Sequence, residues 1–420
     1  MPISGSERNL LRELAKKQAE IAALPVMAER KKLWYDLNDG KTDHPLVTME
    51  FHGLEQDVYP EPECEDPFAR ALERQMSLNI FKHERYRDDR VIPDSISVNI
   101  PNSFTPFGYN VTATQTKRDD GSAGLGYMYA HPVRDFEADF GIFKPSVYSV
   151  DTGLEKAKRY KAQAEEVVGD IIGVRIEFPA PSYDPPNILI RMMSMETLYC
   201  SLLDYPDLVH RVMRELTDSY LAYMDAAETG GAMLPNNDGS RVHQDSYGYT
   251  HDLPGIDELD RPVRLSDVWG YSNSQETVGM SASMFNEFFF TYMKEFADRC
   301  GLFAYGCCEP VHELWAPCLS RLPNLRKLSV SPWCDEDDIG EKLRGTKICY
   351  HRKPSPNYIS VDSVFDEGAF LKHMEHTVKA ARGCPLEITF RDITSVRGEP
   401  RRLTRAVELT REAFARLWQG

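Results

Sequence analysis

The stretch at residues 305–310, YGCCEP, holds the most reactive combination of side chains in the sequence. It follows the apolar run at 302–304, which predicts a buried strand, and it precedes a helical pattern that begins near Val311. In folds that alternate parallel strands with helices, the active site lies where a strand gives way to its helix. Thiolates are ligands of soft metals, and zinc sites commonly add histidine or carboxylate. The pattern therefore indicates a metal site or a reactive thiol.

A structural interpretation of the same stretch stays open beside the chemical one. Free cysteine is often buried as a small hydrophobic residue, and both Cys307 and Cys308 fit that description. Adjacent side chains on an extended chain point to opposite faces, so we expect only one of the two sulfurs to point into a site. The sequence does not say which one.

Composition limits the classes of function. The chain has 420 residues, 42% of them hydrophobic, which is enough for one large domain with additions or for two domains. A net charge of −16 argues against nucleic acid and anionic membranes as partners, because phosphates attract basic surfaces. No run is long and apolar enough to span a bilayer, and no secretory signal is visible. Nine cysteines, an odd number, do not resemble a disulfide framework, so we expect a cytoplasmic protein.

The N-terminal part of the chain predicts helices, then a strand, then irregular structure. Residues 1–44 predict an N-terminal helical extension, in which Ser4 and Glu7 have the spacing of a capping box. Residues 45–51 predict the first core strand. The region 58–145 is rich in Pro, Asp, Asn and Gly, with an exposed hairpin tip at 117–126, and is typical of a long insertion. A lid and a subunit contact in a homodimer both stay open for it.

From Asp151 onwards predicted strands and helices alternate in a regular way. The predicted strands lie at 171–178, 265–269, 302–304, 327–331, 347–350 and 386–390. This alternation favours a parallel sheet with helical crossovers, and the recurring polar clusters favour an α/β fold of the (β/α)8 TIM-barrel type over residues 45–420.

In a barrel, the residues that follow successive strands meet at one rim. Three of them have a functional and a structural interpretation each. His243 is either a site residue or a solvated side chain, and Lys353 either holds an anionic substrate or faces solvent. Asp392 is either a metal ligand or general base, or the salt-bridge partner of Arg391. The dinucleotide, Walker, serine-hydrolase and zinc-protease motifs are all missing from the sequence.

The C-terminal two thirds of the chain, roughly residues 130–420, resembles the uroporphyrinogen decarboxylase superfamily. Within it the chain is most similar to the methyltransferase branch that serves corrinoid-dependent demethylation. The stretches that support the resemblance are SME at 194–196, DYP at 204–206, DVWG at 267–270, SMFNEF at 283–288, YGCCEP at 305–310, SVSPW at 329–333, KPSPN at 353–357 and FRDIT at 390–394. The resemblance implies a (β/α)8 barrel with its site at the carboxyl ends of the strands.

The resemblance also implies zinc. Relatives that move methyl groups carry a His-x-Cys pair after the sixth strand and a cysteine after the eighth. In this sequence Tyr305 stands in place of the histidine and Cys307 keeps the cysteine, while Asp392 stands where the second cysteine would be. Cys307 is therefore the ligand that the resemblance implies first, with Cys308, Glu309 and Asp392 as candidates for the others.

The implied function is a methyltransferase that demethylates a small methylated substrate, with a methoxylated aromatic favoured, and passes the methyl group to a corrinoid carrier protein. Methylamines and methanol stay open as donors. The expected catalytic residues are Tyr305, Glu309 and Asp392, and the expected substrate-binding residues are Trp269, Tyr271, Trp333, Lys353 and His243. The alternatives are a decarboxylase of a tetrapyrrole-like or other carboxylated substrate and a non-catalytic binder. The Arg-Gln-Ala-Gly-Arg motif of the decarboxylase proper has no counterpart here.

Overall fold

Six parallel strands form the central sheet of the computed structural model, which describes residues 3–41, 43–50, 58–59, 61–101, 103–117 and 123–418. In chain order the strands of the described part are β1 (Leu46–Met49), β2 (Ser95–Asn99), β3 (Ala113–Lys117), β4 (Ala123–Tyr129), β5 (Gly173–Glu177), β6 (Arg241–His243), β7 (Ser246–Tyr247), β8 (Trp269–Ser272), β9 (Leu302–Tyr305), β10 (Leu325–Val330), β11 (Cys349–Arg352) and β12 (Leu386–Phe390). The sheet has the order β1-β12-β11-β10-β9-β8.

Helices precede, separate and follow these strands along the chain. They are α1 (Gly5–Ala22), α2 (Pro25–Asn38), α3 (Pro67–Tyr86), α4 (Val150–Val168), α5 (Pro185–Met192), α6 (Met195–Asp204), α7 (Pro206–Thr229), α8 (Ala282–Phe285), α9 (Thr291–Ala297), α10 (Val311–Leu314), α11 (Glu336–Leu343), α12 (Asn357–Ser360), α13 (Glu367–Ala380) and α14 (Arg401–Leu417). A π-helical segment, Asn286–Phe290, joins α8 to α9. The α/β class predicted from the alternation of elements is confirmed.

The two faces of the sheet differ in chemistry because side chains alternate along each strand. One face carries apolar residues such as Leu328 and Ile388, which belong to the main apolar core. The other, which we call the inner face, carries buried polar residues such as Lys327, His351 and Glu387. The inner face therefore provides the polar groups from which a site can be built.

A second, two-stranded parallel ladder joins β2 to β5. One parallel bridge, between Ser182 and Tyr271, connects the segment after β5 to β8. On the other side of β2, Gln75 of α3 exchanges two hydrogen bonds of 3.1 and 3.2 Å with the backbone of Ser97. The amide of Gln18 in α1 donates to the carbonyl of Ser95 at 3.2 Å. Side chains of α1 and α3 thus form hydrogen bonds with the backbone at the edge of β2, which a neighbouring strand would otherwise pair.

The closed eight-stranded barrel stays a prediction, because the described parallel strands form one sheet of six strands and a separate ladder of two. The proposed boundaries at residue 44 and around 58–145 also stay predictions. Within 58–145, however, the structure contains the helix α3, which the Pro- and Asp-rich flanks hid in the sequence. It also contains the strand β2, where the sequence has a strand-like run at 95–100. The expected hairpin around 117–126 corresponds to the antiparallel pair β3–β4, and its tip at 118–122 lies outside the described residues.

Several predicted elements are confirmed and others change at their ends. The capping box of α1 is present, with the Ser4 N–H donating to Glu7 at 2.8 Å and the Glu7 N–H donating to Ser4 Oγ at 3.2 Å. The strand predicted at 265–269 instead begins at Trp269, because residues 265–267 form a 3-10 turn. The helix predicted to begin near Val311 is only the short α10, and Pro317 follows it. Phe51, the predicted end of β1, lies outside the described residues.

The hairpin β6–β7 packs against the inner face of the sheet. Ser246 Oγ lies 2.7 Å from Lys327 Nζ and donates to Glu387 at 3.0 Å. Further along the strands, the ring of His243 stacks on His351 at 5.1 Å. The hairpin therefore runs along the inner face towards the carboxyl ends of the strands, and its two-residue turn lies there.

No helix among the described residues combines the length and apolar character that crossing a bilayer requires.

Candidate active site

Cys307 lies just beyond the carboxyl end of β9 and is only 6% exposed. Gly306 precedes it with φ of +100°, and a Cβ there would lie 3.1 Å from the Cβ of Ser329, so the turn requires glycine. The Cys307 sulfur accepts a hydrogen bond of 3.0 Å from Gln244 Nε2 and another of 3.0 Å from Arg391 Nη1. Two strand ends and the hairpin turn thus meet at one sulfur.

The surroundings of Cys307 favour its thiolate. Among the groups that lower its pKa, the thiol of Cys308, whose sulfur lies 3.6 Å away, has the largest effect, and the positive charges of Lys353 and Arg391 add to it. Together they lower the pKa of Cys307 to about 6, although burial acts in the opposite direction. The pKa of Cys308 is raised, chiefly by its bond to Cys307 and by burial. Cys307 is therefore the anion of the pair and Cys308 the proton donor.

The hairpin turn presents Gln244 to the sulfur. Gln244 and Asp245 have φ of +43° and +55°, the left-handed values that a two-residue turn of this hairpin requires and that side chains disfavour. Asp245 is buried and accepts contacts of 3.3 Å from Lys82, 3.3 Å from Arg90 and 2.8 Å from Arg241. This cationic anchor holds the turn in place, so that Gln244 reaches Cys307.

Lys353 and Arg391 bring two positive charges to the thiolate. The ammonium of Lys353 donates to the Gln244 side-chain oxygen, and to the carbonyls of Gly306 and Cys307 at 3.4 Å each. Burial lowers the pKa of Lys353, which the thiolate opposes. Arg391 Nε lies 3.1 Å from a carboxylate oxygen of Glu50. Burial acts to lower the pKa of Arg391. The negative charges of the thiolate and Glu50 outweigh burial, so the pKa of Arg391 lies above its usual value. Arg391 thus keeps its charge.

The carboxyl groups of Glu309 and Asp184 have different roles. Glu309 is fully buried, and its oxygens accept 2.8 Å hydrogen bonds from the backbone N–H groups of Cys307 and Ser274, so it fixes the loop after β9 to the loop after β8. Asp184 accepts hydrogen bonds of 2.6 Å from Ser182 Oγ and 2.8 Å from the Asn273 N–H. Burial nevertheless raises the pKa of Asp184 to about 7. Asp184 is therefore suited to exchanging a proton at neutral pH.

Tyr271 and His243 lie beneath the thiolate on the inner face. The Tyr271 hydroxyl donates to the Gly306 carbonyl at 3.3 Å and accepts from Gln244 at 3.3 Å. The rings of His243 and Tyr271 pack edge to face, with their centroids 4.5 Å apart. Burial and the charge of Lys353 lower the pKa of His243 well below its usual value, so this ring is neutral. Neither nitrogen of His243 has a hydrogen-bond partner among the described residues.

The other site residues predicted from the sequence do not lie around the Cys307 sulfur. Tyr305 lies in the main apolar core, and its hydroxyl is 2.5 Å from Ser274 Oγ. Trp269 is fully buried and donates to the Gly248 carbonyl at 2.8 Å, whereas Trp333 is 73% exposed. The expected aromatic pocket of these two tryptophans with Tyr271 is therefore not assembled. Asp392 is exposed and lies 3.4 Å from Arg391, the salt bridge that was its structural alternative.

The donor set around Cys307 does not fit zinc. In the part of the chain that the structure describes, no three His, Cys, Asp or Glu side chains are grouped as a metal site would need. The sulfur of Cys307 already faces the guanidinium of Arg391 and the ammonium of Lys353, which repel a cation. Cys308 contributes a thiol and Asp392 points to Arg391. Cys307 and Cys308 thus form a thiol site lined by cations, and together with Asp392 they do not form the tetrahedral donor set that zinc needs.

Sequence reasoning named Arg391 as the salt-bridge partner of Asp392 and not as a site residue of the methyltransferase, and it missed Gln244 and Asp184. For Arg391 a signal existed, because it directly follows β12 and continues the alternation of Glu387 and Thr389 on the inner face, which leaves Asp392 on the other side. For Gln244 and Asp184 no local pattern distinguishes them from other polar loop residues, since their placement depends on the hairpin and on burial.

A polar cavity of about 370 Å³ lies between β2, β5 and the hairpin. Arg241, which contacts Asp245 beside Gln244, lines it together with Arg175 and Glu177. Arg175 Nε lies 2.8 Å from Glu177. The other lining residues include Ser97, Asn99, Tyr247 and Tyr249. The cavity thus offers arginine and hydroxyl donors on the side of the hairpin that faces the β2–β5 ladder.

Comparison with known proteins gives a likeness of fold. A solved structure described as a methyltransferase from Methanosarcina mazei matches with a TM-score of 0.51 and 13% sequence identity, over 92% of this chain and 99% of that chain. No family model matches the chain, and no curated protein matches it. At this identity the likeness shows a shared fold.

Proposed function

We propose that this chain is a methyltransferase that takes a methyl group from a small methylated substrate, with a methoxylated aromatic favoured, and passes it to a corrinoid carrier protein. The observation that carries the proposal is the meeting of Arg391, Lys353 and the Cys307 thiolate at the carboxyl end of a parallel sheet. The likeness in fold to a structure described as a methyltransferase, and the resemblance to the methyltransferase branch of the superfamily, support it. The two parallel ladders and their connecting bridge support the closed barrel that this branch implies.

The charges at the site suit an oxygen leaving group. A methyl ether is inert because the oxygen that must depart is a basic anion. Arg391 and Lys353 place positive charge where that anion would develop, and preorganised charge in a buried site stabilises it strongly. The same two cations would repel a methylammonium substrate. The charge pattern therefore supports a methoxylated donor over a methylamine.

Asp184 replaces Glu309 and Tyr305 as the proposed proton donor. Its raised pKa of about 7 leaves much of it protonated at neutral pH, so it can protonate the departing oxygen and release the product as a neutral alcohol or phenol. Tyr271 lies within electrostatic range of both Asp184 and Cys307, which links the two parts of the site. Glu309 acts as a positioning residue, because both of its oxygens accept backbone hydrogen bonds.

We propose that the thiolate of Cys307 holds the charged groups of Arg391 and Lys353 in the site. Without its negative charge, the guanidinium of Arg391 would keep only the carboxylates of Glu50 and Asp392 as anionic contacts and would move towards them. A corrinoid on a carrier protein supplies the nucleophile that accepts the methyl group. This chain binds the donor, orients it and protonates its oxygen.

The polar cavity is the proposed binding site for the body of the substrate. Its arginines, Arg175 and Arg241, would hold a carboxylate or a phenolic oxygen, and Tyr247 and Tyr249 would face an aromatic ring. Methoxybenzoates are therefore the first substrates to test, ahead of methoxybenzenes that lack a carboxylate.

The test uses free reduced cobalamin as the methyl acceptor. Purified protein is incubated with methoxybenzoates, methoxybenzenes, methanol or methylamines, and methylcobalamin is followed by its absorbance. We expect transfer from a methoxybenzoate, and we expect Arg391→Met to abolish it while Asp392→Asn, at the exposed neighbour, retains it. Transfer from methylamines alone, or full activity in Arg391→Met, would contradict the proposal.

A decarboxylase of a tetrapyrrole-like or other carboxylated substrate is the second candidate. The specific observation in its favour is that Arg391 and Lys353 together form a pair of cations that a carboxylate could occupy. Release of carbon dioxide from uroporphyrinogen, without methyl transfer from any methylated compound, would favour this function over the first.

A further inference from the structure

The two adjacent cysteines at the site are unlike the others in the chain. Their sulfurs lie 3.6 Å apart, close to van der Waals contact, and neither is bonded to another cysteine. Cys307 is buried, whereas Cys308 is partly exposed. Cys64, Cys300, Cys318, Cys349 and Cys384 are buried, and the pKa of each is raised, with burial as the largest cause. The pair therefore combines a reactive sulfur with an accessible one.

The environment of Cys307 is that of a nucleophilic thiol. Its sulfur accepts hydrogen bonds from Gln244 and Arg391, and Lys353 adds a second positive charge. Reactive cysteines lie in electropositive surroundings of this kind, because the thiolate is the form that attacks. The neighbouring Cys308 is a protonated thiol within reach of the same atom.

We propose that Cys307 and Cys308 form a peroxide-sensitive modification site, with Cys307 as the attacking sulfur and Cys308 as the resolving thiol. The proposal concerns oxidation chemistry and does not depend on the methyltransferase proposal. Its oxidant is hydrogen peroxide or a small organic hydroperoxide, and its reductant is a small thiol.

The steps balance in atoms and electrons. The Cys307 thiolate attacks one peroxide oxygen, so an S–O bond forms and the O–O bond breaks. The departing oxygen takes a proton and leaves as water from hydrogen peroxide, or as an alcohol from an organic hydroperoxide. The Cys308 sulfur then attacks the oxidised Cys307 sulfur. An S–S bond forms, the S–O bond breaks, and the Cys308 proton leaves with the oxygen as water. Peroxide is reduced by two electrons, and the two thiols become one disulfide.

The product is expected to be readily reversible and to remove the charge of the site. The Cα atoms of adjacent residues are about 3.8 Å apart, shorter than the roughly 4.4–6.8 Å of ordinary disulfides, and such bonds are more easily reduced. A small thiol would therefore restore the pair. While oxidised, Cys307 has no negative charge to hold Arg391 and Lys353.

The test treats the full-length protein with stoichiometric hydrogen peroxide and maps its peptides by mass spectrometry. We expect the peptide that carries both cysteines to lose the mass of two hydrogen atoms, and to regain it after a small thiol is added. In Cys308→Ser we expect a sulfenic acid on Cys307 that dimedone traps. Cys307→Ser should show neither product, and Cys200→Ser, at the exposed cysteine of α6, should behave as the unaltered chain does.

Three results would overturn the proposal. The first is oxidation of Cys200 ahead of residues 307–308 in the unaltered chain. The second is a disulfide that joins Cys307 to a cysteine other than Cys308, such as Cys334. The third is a Cys308→Ser protein in which dimedone does not label Cys307, although circular dichroism shows that the variant is folded. None of these readouts requires methyltransferase activity, so the methyltransferase proposal could fail while this one holds.

Discussion

Gln244 and Asp245 occupy the same two-residue turn, yet they meet two different buried clusters. Asp245 is an anion that Lys82, Arg90 and Arg241 surround, and Asp88 pairs with Arg90 at 2.8 Å in turn. Gln244 is a neutral amide that joins a thiolate to the ammonium of Lys353. Asp245 anchors the hairpin to the body of the protein, and Gln244 connects the hairpin turn to the site.

The difference shows how a strained turn can persist at a functional site. Left-handed φ costs an L-residue roughly 1–2 kcal/mol, and two such residues follow one another here. The strain persists because the surrounding structure over-determines the turn. The Asp245 cluster supplies that constraint, which leaves the geometry at Cys307 free to serve reactivity. We therefore expect substitutions in the Asp245 cluster to change stability and substitutions in the Cys307 cluster to change reactivity.

The largest effect is expected for Asp245→Asn. The substitution leaves buried cations without their shared anion, and breaking a buried ion pair costs about 3–5 kcal/mol. We expect the free energy of unfolding, measured by urea denaturation, to fall by that amount. Asp392→Asn is the matched control, because this carboxylate is exposed and should change stability by less than about 0.5 kcal/mol. Equal stability of the two variants would mean that the hairpin has no such anchor.

Cys307→Ser should have the opposite profile. We expect it to lose less stability than Asp245→Asn, because Arg391 keeps its contact with Glu50 and Lys353 its contact with Gln244. We expect the methyl-transfer rate to fall about 100-fold, because a small misplacement of catalytic cations is enough for such a loss. Thermal unfolding and the cobalamin assay measure the two quantities on the same preparation. A variant that loses stability and keeps its rate would reverse the assignment of the two clusters.

Arg391→Met tests the electrostatics of the thiolate cluster. An opposite charge this close favours the thiolate, so its removal should raise the pKa of Cys307 by about 1–2 units. The measurement is the pH dependence of Cys307 alkylation by iodoacetamide. Arg401→Met, at an arginine that is 87% exposed, is the control and should leave the pKa unchanged. An unchanged pKa in Arg391→Met would show that the guanidinium does not stabilise the thiolate.

The rate of methyl transfer should depend on pH through two groups. Cys307 must be deprotonated, so activity falls as pH drops through its pKa of about 6, and Asp184 must be protonated, so activity falls as pH rises through its pKa of about 7. We expect a maximum between these values, with a loss of about tenfold per pH unit beyond each limb. Asp184→Asn should remove the upper limb. Persistence of that limb in the variant would exclude Asp184 as the acid.

The smallest effect compares two substitutions at Gln244. Gln244→Ala and Gln244→Gly both remove the amide from Cys307, but only glycine adopts φ of +43° without strain. We expect the glycine variant to be more stable than the alanine variant by about 1 kcal/mol, measured by urea denaturation. Equal stability would indicate that the turn relaxes once the side chain is gone.

The sequence predicts the alternating elements well, because strand and helix patterns are local. The strand at 386–390 and the capping box of α1 have the predicted residues. The helix α3 was missed, because its flanks are rich in turn-forming residues. The N-terminal end of β8 was misplaced, because a 3-10 turn has the same apolar pattern as a strand. The path of the hairpin along the inner face depends on long-range contacts, such as that of Ser246 with Lys327, and no local pattern encodes it.

The sequence predicts Cys307 and Lys353 at the site but not the other residues that surround the sulfur. Cys307 and Lys353 follow directly from their positions after strands. The resemblance implies Asp392 as the site residue, whereas the alternation along β12, continued by one residue, places Arg391 on the inner face. The exposed Trp333 and the buried Trp269 show that aromatic type alone does not locate a binding pocket. The positive charges at the sulfur come from residues distant in sequence, so the chemistry of Cys307 could be read only from the fold.

The pH dependence of Cys307 alkylation in the unaltered protein tests the central claim most directly. Iodoacetamide reacts with the thiolate, and peptide mapping isolates Cys307 from the other cysteines. A thiolate held by Arg391, Lys353 and Cys308 predicts a midpoint at a pKa of about 6. A midpoint at the ordinary cysteine pKa of about 8.5 or above would show that Cys307 is an unperturbed buried thiol and would contradict this account.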